Sequence, residues 1–391
     1  MMKEVYLDNA ATTKPLEVTI EAVSTIMRDY YGNPSSLHKK GIEAENKIKE
    51  CTTYFANVLG CTEDEIIYTS GGTESNNLAI LGVAHAYQKI GKRILTTAIE
   101  HPSVGDVFKH LEAEGFEVII IPVDEKGYVD ESFLEEAINE ETTLVSIMHV
   151  NNEIGTIQNI ERIGKCIKAK NSKTFFHVDA VQSFTKVPLS VRKAQIDLLS
   201  ISGHKFYGPR GVGLFYKSKK VRVLNQLHGG GQQKNLRSGT ENVAGIYGMY
   251  RAARYVIENQ KAILEAYQSA KIYLAERILS EVEGTYVNGE DMETSAPHIL
   301  NVGFDNVRAE VLLHALEQYQ IYVSSGSACA SNKVAKSGTL AAIGLKDQAL
   351  DNAVRFSFSL ETTKEDLDYC MDVLKKQVIL LRKFTLGGKK K

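Results

Sequence analysis

The chain has 391 residues, 43% of them hydrophobic and 24% charged, which is enough for a large core and for two domains. A formal net charge of −2 offers no overall attraction to a polyanion or an anionic bilayer, so neither nucleic acid nor membrane is expected as a direct partner. The five cysteines are scattered and form no CxxC pair, which argues against a disulfide framework or a structural metal site and favours a reducing, cytoplasmic setting.

The opening stretch MMKEVYLDNAATT carries Lys3 and Glu4 and no long apolar run, so no signal or transit peptide is expected. No segment reaches the roughly 18 apolar residues of a membrane span. Strands are predicted at EIIYT (65–69), RILTT (93–97), EVIIIP (117–122), TLVSIMHV (143–150), TFFHV (174–178) and DLLSIS (197–202). They are short, β-branched and almost continuously apolar, as when helices cover both sheet faces. Helices are predicted near 73–90, 102–114, 131–139 and 160–171. This βα alternation implies a mostly parallel sheet with ligands collecting beyond the C-terminal strand ends. A long helical pattern covers about 240–280. Beyond it, HILNVGF (298–304) and VRFSFS (354–359), with helices near 308–318 and 363–382, read as a smaller α+β unit.

Several strand ends carry candidate chemistry. TSGGTESNN (69–77) runs from a strand through Gly71 and Gly72 into a helix opening with Thr73. Its N–H groups and dipole can cradle a phosphate, although no P-loop pattern is present and a plain helix cap explains the same residues. In HVDAVQ (177–182), Asp179 either caps a helix or holds a protonated ring nitrogen, with Gln182 close behind. In SISGHKFYGPRGVGLFY (200–216), Lys205 lies in a turn between two apolar strands. It is either a surface lysine or a desolvated amine able to form a Schiff base with an aldehyde, with Ser202 and His204 as neighbouring donors. His101, in IEHPSV, can stack on a flat ring or simply make a turn, and Asn151 and Asn152 follow another strand end. A phosphate cradle, a carboxylate for a ring nitrogen and a lysine for an aldehyde are together what pyridoxal 5′-phosphate requires. In SSGSACASNK (324–333), Cys329 stands among small residues that cannot bury it, unlike a core cysteine. No His/Cys cluster has metal-ligand spacing.

The motifs YLDNAATT, GNPSSLH, TSGGTESNN, EHPSV, NNEIGT, DAVQ, SGHKFYGPRGVG, GGGQQ, RSGTEN and SSGSAC follow the order found in cysteine desulfurases of the NifS/IscS type, from Tyr6 to about Glu361. The chain resembles that family, part of the class V pyridoxal-phosphate-dependent aminotransferases. The resemblance implies an α/β fold of type I, aspartate-aminotransferase-like. Its large domain, 15–260, would hold a mostly parallel seven-stranded sheet, and its small α+β domain would comprise 1–14 and 261–391. It implies Lys205 as the cofactor's Schiff-base lysine, Asp179 at the pyridinium nitrogen, and Gln182 and Asn152 near the phenolic oxygen. His101 would stack on the ring and assist proton transfer, and Gly72, Thr73, Ser202 and His204 would serve the phosphate. Thr240 would reach the phosphate of a neighbouring subunit in a homodimer. Arg355 would bind the substrate carboxylate, with Asn33 near the substrate. Cys329 would receive sulfur from L-cysteine as a persulfide, releasing L-alanine. The sulfur would pass to a protein acceptor, an iron–sulfur scaffold or a tRNA-thiolation enzyme. The segment from Ser325 to Ser337 resembles the long-loop subgroup, but it lacks the Glu-Pro-Ser stretch of many relatives and carries Lys333 and Lys336 instead. The rival readings are another class V enzyme, such as an aminotransferase or selenocysteine lyase, which would not need Cys329, and a non-catalytic scaffold, which would not keep Lys205, Asp179 and Arg355.

Overall fold

The computed structural model describes residues 3–325 and 337–387. The chain begins with β1 (Val5–Tyr6), α1 (Glu17–Asp29) and α2 (Lys39–Leu59), then alternates β2 (Ile66–Thr69), α3 (Gly72–Tyr87), β3 (Arg93–Thr97), α4 (Pro102–Ala113), β4 (Glu117–Ile121), α5 (Glu131–Ala137), β5 (Thr142–Met148), α6 (Ile160–Lys170) and β6 (Phe175–Asp179). β7 (Leu198–Ser202) and β8 (Gly213–Lys217) complete the strands of this part. Helices α7 (Val243–Glu258) and α8 (Gln260–Glu281) lead to β9 (Thr285–Val287), β10 (Ile299–Phe304), α9 (Ala309–Glu317), β11 (Ile321–Tyr322) and β12 (Ser324–Ser325). The last elements are α10 (Gly338–Ala342), β13 (Ala353–Ser357) and α11 (Lys364–Gly387). Among the described residues, no helix is long and apolar enough to cross a membrane.

The central sheet has seven strands in the order β2-β8-β7-β6-β5-β3-β4, all parallel except the reversed β8. Its strands lack polar alternation because both faces are buried. Ile94, Leu144, Leu198 and Phe215 pack into one apolar layer, with Leu78, Ile80 and Val83 of α3. Their chain neighbours Leu95, Val145, Leu199 and Leu214 pack into the opposite layer. Each such side chain contributes about 1.5–3 kcal/mol on burial. β5, in the interior, is buried along its whole length, whereas the edge strand β4 leaves Ile120 half exposed.

A second sheet, β12-β13-β10-β9, is antiparallel. It puts Arg355 on an inner strand, opposite Asn301 on one side and Ser324 on the other. The continuous helical pattern predicted over 240–280 is in fact two helices. Asn259 separates them, its Nδ2 donating to the carbonyl of Tyr255 at 2.8 Å and its own backbone leaving the helical region. The sequence pattern did not show this break because neither Gly nor Pro marks it and the helix formers Glu258, Gln260 and Lys261 flank Asn259.

The segment after β1 links the two sheets. Ser357 N donates to Leu7 O at 2.7 Å, and Ala10 N donates to Ser357 Oγ at 2.8 Å. At its other end Thr13 Oγ1 donates to His204 O at 2.9 Å and accepts from Tyr207 N at 2.7 Å. YLDNAATT is thus a strap between β13 and the loop after β7.

Candidate active site

The C-terminal ends of β2, β3, β5, β6 and β7 open on one cavity of about 290 Å3. At its β2 end the chain turns through Gly71, at φ 153° and ψ −175°, a conformation that glycine favours. A Cβ on Gly72 would come within 2.6 Å of Val181 Cγ2, so only glycine lets the start of α3 sit against the loop after β6. Gly72 and Thr73 therefore present the unpaired N–H groups of a helix start to the cavity. Ser202 and His204, from the end of β7, line it as well. His204 Nδ1 lies 3.2 Å from Thr12 Oγ1. Burial, with the positive charges of Lys205, Arg210 and Lys186, pushes the His204 pKa down to about 4, so the ring is neutral at pH 7.

Asp179 ends β6. Its Oδ1 accepts from Val181 N at 2.9 Å, the capping bond expected of an acid there, and its Oδ2 accepts from Asn76 Nδ2 at 2.8 Å. A carboxylate oxygen accepts, so the amide nitrogen of Asn76 has to face it. The same nitrogen donates to Ser103 Oγ at 2.9 Å, and Ser103 Oγ lies 2.8 Å from His101 Nδ1. Ser103 N also donates to that Nδ1, at 3.1 Å. With its lone pair at Nδ1 engaged, the neutral His101 ring carries its proton on Nε2. Burial lowers the pKa of His101, a tendency the Asp179 charge opposes. His101 thus caps α4 and also lines the cavity.

Lys205 follows β7 through a short turn. Its Nζ donates to Ala10 O at 2.7 Å and to Ala11 O at 2.9 Å, both on the strap. Gln182 Nε2 donates to Ala10 O as well, at 2.9 Å, and its Oε1 lies 3.3 Å from His298 Nε2. Behind this loop Lys186 is buried and donates to the Lys205 carbonyl at 2.8 Å. Burial, then the Lys205 charge, pushes the Lys186 pKa down to about 7.

Arg355 reaches the cavity from the second sheet. It is 5% exposed. Its Nη1 donates to Asn152 O at 2.7 Å and its Nη2 to Asp8 Oδ1 at 2.8 Å. Among the described residues its buried Nε has no partner, and neither does the buried Oδ1 of Asn76.

One cavity therefore gathers Gly72, Thr73, His101, Asn152, Asp179 and Gln182, and with them Ser202, His204, Lys205 and Arg355. Asn33 and Thr240 do not line it. Asn33 is exposed between α1 and α2, its Oδ1 accepting from Ser35 N at 2.9 Å, and Thr240 is exposed ahead of α7. Cys329 lies outside the described residues. Among the described cysteines none lines the cavity, and burial raises the thiol pKa of each, with Cys61 and Cys370 pushed up to about 12. Asn76, Ser103, Asp8 and the Ala10 and Ala11 carbonyls belong to the site although sequence reasoning missed them. The one available signal was spacing, since Asn76 falls four residues into the helix that Gly72 starts.

The cavity would suit pyridoxal phosphate. A helix start and two hydroxyl- or imidazole-bearing residues suit the phosphate, Asp179 suits a ring N–H, and an amine stands between. The unpartnered Arg355 Nε suits a carboxylate. Residues 5–370 match the Aminotransferase class-V family, so the chain belongs to that family of pyridoxal phosphate enzymes. Within it the chain is similar to the cysteine desulfurases. It is 42% identical to Cysteine desulfurase IscS of Dictyoglomus turgidum, over 98% of this chain and 96% of the relative. It is also 42% identical to Cysteine desulfurase IscS of Pectobacterium carotovorum, over 98% of this chain and 94% of the relative. Among solved structures, a NifS-like protein superposes with a TM-score of 0.91 at 37% identity, covering 97% of this chain and all of the other. The structure of SspA in complex with cysteine superposes at 0.79 with 31% identity, covering 92% of this chain and 100% of that one.

Proposed function

We propose that the protein is a cysteine desulfurase that takes sulfur from L-cysteine, leaving L-alanine and a persulfide on Cys329. The observation that carries this reading is the single cavity in which Lys205, Asp179, His101 and Arg355 meet from two sheets. Pyridoxal 5′-phosphate, when bound, supplies the electron sink that allows the Cα proton to leave. Lys205 would anchor its aldehyde and move that proton at Nζ. Asp179, held by Asn76 and Val181, would keep its ring nitrogen protonated. Gln182 and Asn152 would serve its phenolic oxygen, and Gly72, Thr73, Ser202 and His204 would hold its phosphate. Arg355 orients the substrate through its carboxylate. The neutral His101 ring, which lines the cavity, would stack on the cofactor ring, with its Nε2–H available for proton delivery.

The Cys329 thiolate attacks the substrate sulfur. An S–S bond forms, the Cβ–S bond breaks, and its electron pair stays with carbon, where it is protonated to the methyl group of L-alanine. Thr240, exposed on its own chain, reaches the phosphate of a second copy, and the working unit is a homodimer. Asn33, also exposed, neighbours the substrate only in such an assembly. The large unit of 15–260 carries the cofactor, while 1–14 and 261–391 supply the strap, Arg355 and Cys329. The persulfide passes to a protein acceptor of iron–sulfur assembly or tRNA thiolation in the cytoplasm.

The test is alanine formation from L-cysteine with a reducing thiol, comparing wild type with Cys329→Ala. Alanine from wild type alone supports the reading. Equal alanine from both would remove Cys329 from the reaction, and none from either would return the chain to its rival class V activities.

A further inference from the structure

Read as the receptor for the substrate carboxylate, Arg355 already has a carboxylate of this chain beside it. Asp8 Oδ1 accepts from Arg355 Nη2 at 2.8 Å, with the acid side chain 23% and the arginine side chain 6% exposed. Asp8 reaches it because the strap is fixed on both sides of that residue. Ser357, two residues from Arg355 on the same strand, receives the strap at Leu7 and at Ala10. The bond engages one edge of the guanidinium. Asn152 O takes Nη1, and among the described residues the buried Nε points to no partner. An incoming carboxylate therefore finds N–H donors at Arg355, but the positive charge behind them is already offset by Asp8. Two carboxylates sharing one guanidinium repel each other in a site that burial partly shields from solvent.

We infer that Asp8 sets the affinity of the carboxylate subsite: it steadies Arg355 while opposing the charge of any α-carboxylate that binds there. This rests on the reading of Arg355 as the carboxylate receptor. The effect falls on L-cysteine and on L-alanine alike, because both carry the same carboxylate. Asp8 thus weakens the hold on product as well as on substrate, which serves turnover where both would otherwise stay bound. The inference concerns charge, not shape. Asp8→Asn keeps an oxygen that can accept from Nη2 and removes only the negative charge.

The experiment uses the cofactor-loaded enzyme as wild type, Asp8→Asn and Arg355→Ala. It measures KM and kcat for L-cysteine, and the dissociation constant of L-alanine by calorimetry. A parallel titration uses 2-aminoethanethiol, which has the amine and thiol of cysteine without its carboxylate, read by the absorbance of the bound cofactor. For Asp8→Asn the expected result is a KM and an alanine dissociation constant both lowered about threefold to tenfold, with 2-aminoethanethiol unchanged. Asp8→Ser, with its melting temperature measured beside that of Asp8→Asn, repeats the test should the first variant fold poorly. If Asp8→Asn leaves alanine binding unchanged or weaker while Arg355→Ala weakens it, the inference is wrong and Arg355 keeps its role. Loosened 2-aminoethanethiol binding would also overturn it, since that ligand has no carboxylate for Asp8 to oppose. If Arg355→Ala changes neither alanine binding nor KM, the carboxylate reading itself fails and the inference falls with it.

Discussion

At the C-terminal ends of the parallel strands, the cavity of about 290 Å3 is lined by groups whose partners are mostly one another. At the N-terminal ends a wider cleft of about 710 Å3 is bordered by Tyr87, Lys168, Phe175, Arg192 and Asp197. The larger space has less chemistry in it. Lys168 there pairs with Asp197 and donates to the Thr174 carbonyl, so its charge is spent on the fold. In the smaller cavity, Asn76 Oδ1 and Arg355 Nε are buried without partners among the described residues, which is costly unless something binds. Strand ends that converge, rather than volume, distinguish the site.

The sharpest way to break this contrast is Lys205→Ala. Alanine formation should fall by about three orders of magnitude or more, and the visible absorbance of the bound cofactor should disappear. Retained colour with normal cofactor content would show that the amine is not the anchor. Arg355→Ala should come next, raising KM for L-cysteine about thirtyfold or more, in line with removal of one partner from a buried charged pair, with a smaller change in kcat. An unchanged KM would take Arg355 out of the substrate site.

Ser103→Ala tests a subtler link. It removes the hydroxyl from Nδ1 of His101 and leaves the backbone N–H in place. The expected loss in kcat/KM is about threefold to tenfold, with a displaced His101 titration in 15N spectra. A shift in neither would mean that the Asp179–Asn76–Ser103–His101 chain is only packing. At the other end of the sheet, Lys168→Met should leave kcat and KM alone and cost about 1–3 kcal/mol of stability, read from denaturant midpoints. A kinetic defect there would erase the distinction between the two cavities.

Acid stability separates the two regions further. His177 is buried inside the sheet between Ser146 and Ser200, and burial pushes its pKa down to about 3. The unfolded chain binds this proton near pH 6.5 and the folded chain does not, so this residue lowers stability as pH falls from about 6.5 toward 3. His177→Gln should reduce the slope of unfolding free energy against pH in that window by about 1.4 kcal/mol per pH unit. Parallel slopes for the variant and wild type would contradict the assignment.

The sequence made the central sheet and the strand-end residues readable for a local reason. Both faces of β5 and its neighbours are buried, so the apolar runs are continuous and their ends mark the loops where Asp179, His101 and Lys205 lie. The strap was not readable. Ala10 and Ala11 act through backbone carbonyls, which no side chain announces, and Asp8 meets Arg355 across 347 positions. Ser103 looked like an ordinary residue of a helix start because its role depends on Asn76, one helix away. Asn33 and Thr240 were named from resemblance, and a single copy of the chain gives neither of them a place in the cavity.

The strap also dictates when the site can exist. Ala10 is synthesised long before Ser357, whose hydroxyl fixes it, and before Lys205, whose amine rests on its carbonyl. During translation the cavity therefore lacks one wall until β13 has emerged and folded against Leu7. A chain halted before residue 357 would hold the strap at Thr13, through His204 and Tyr207, but not at β13, so the Ala10 and Ala11 carbonyls on which the Lys205 amine rests would be fixed from one side only.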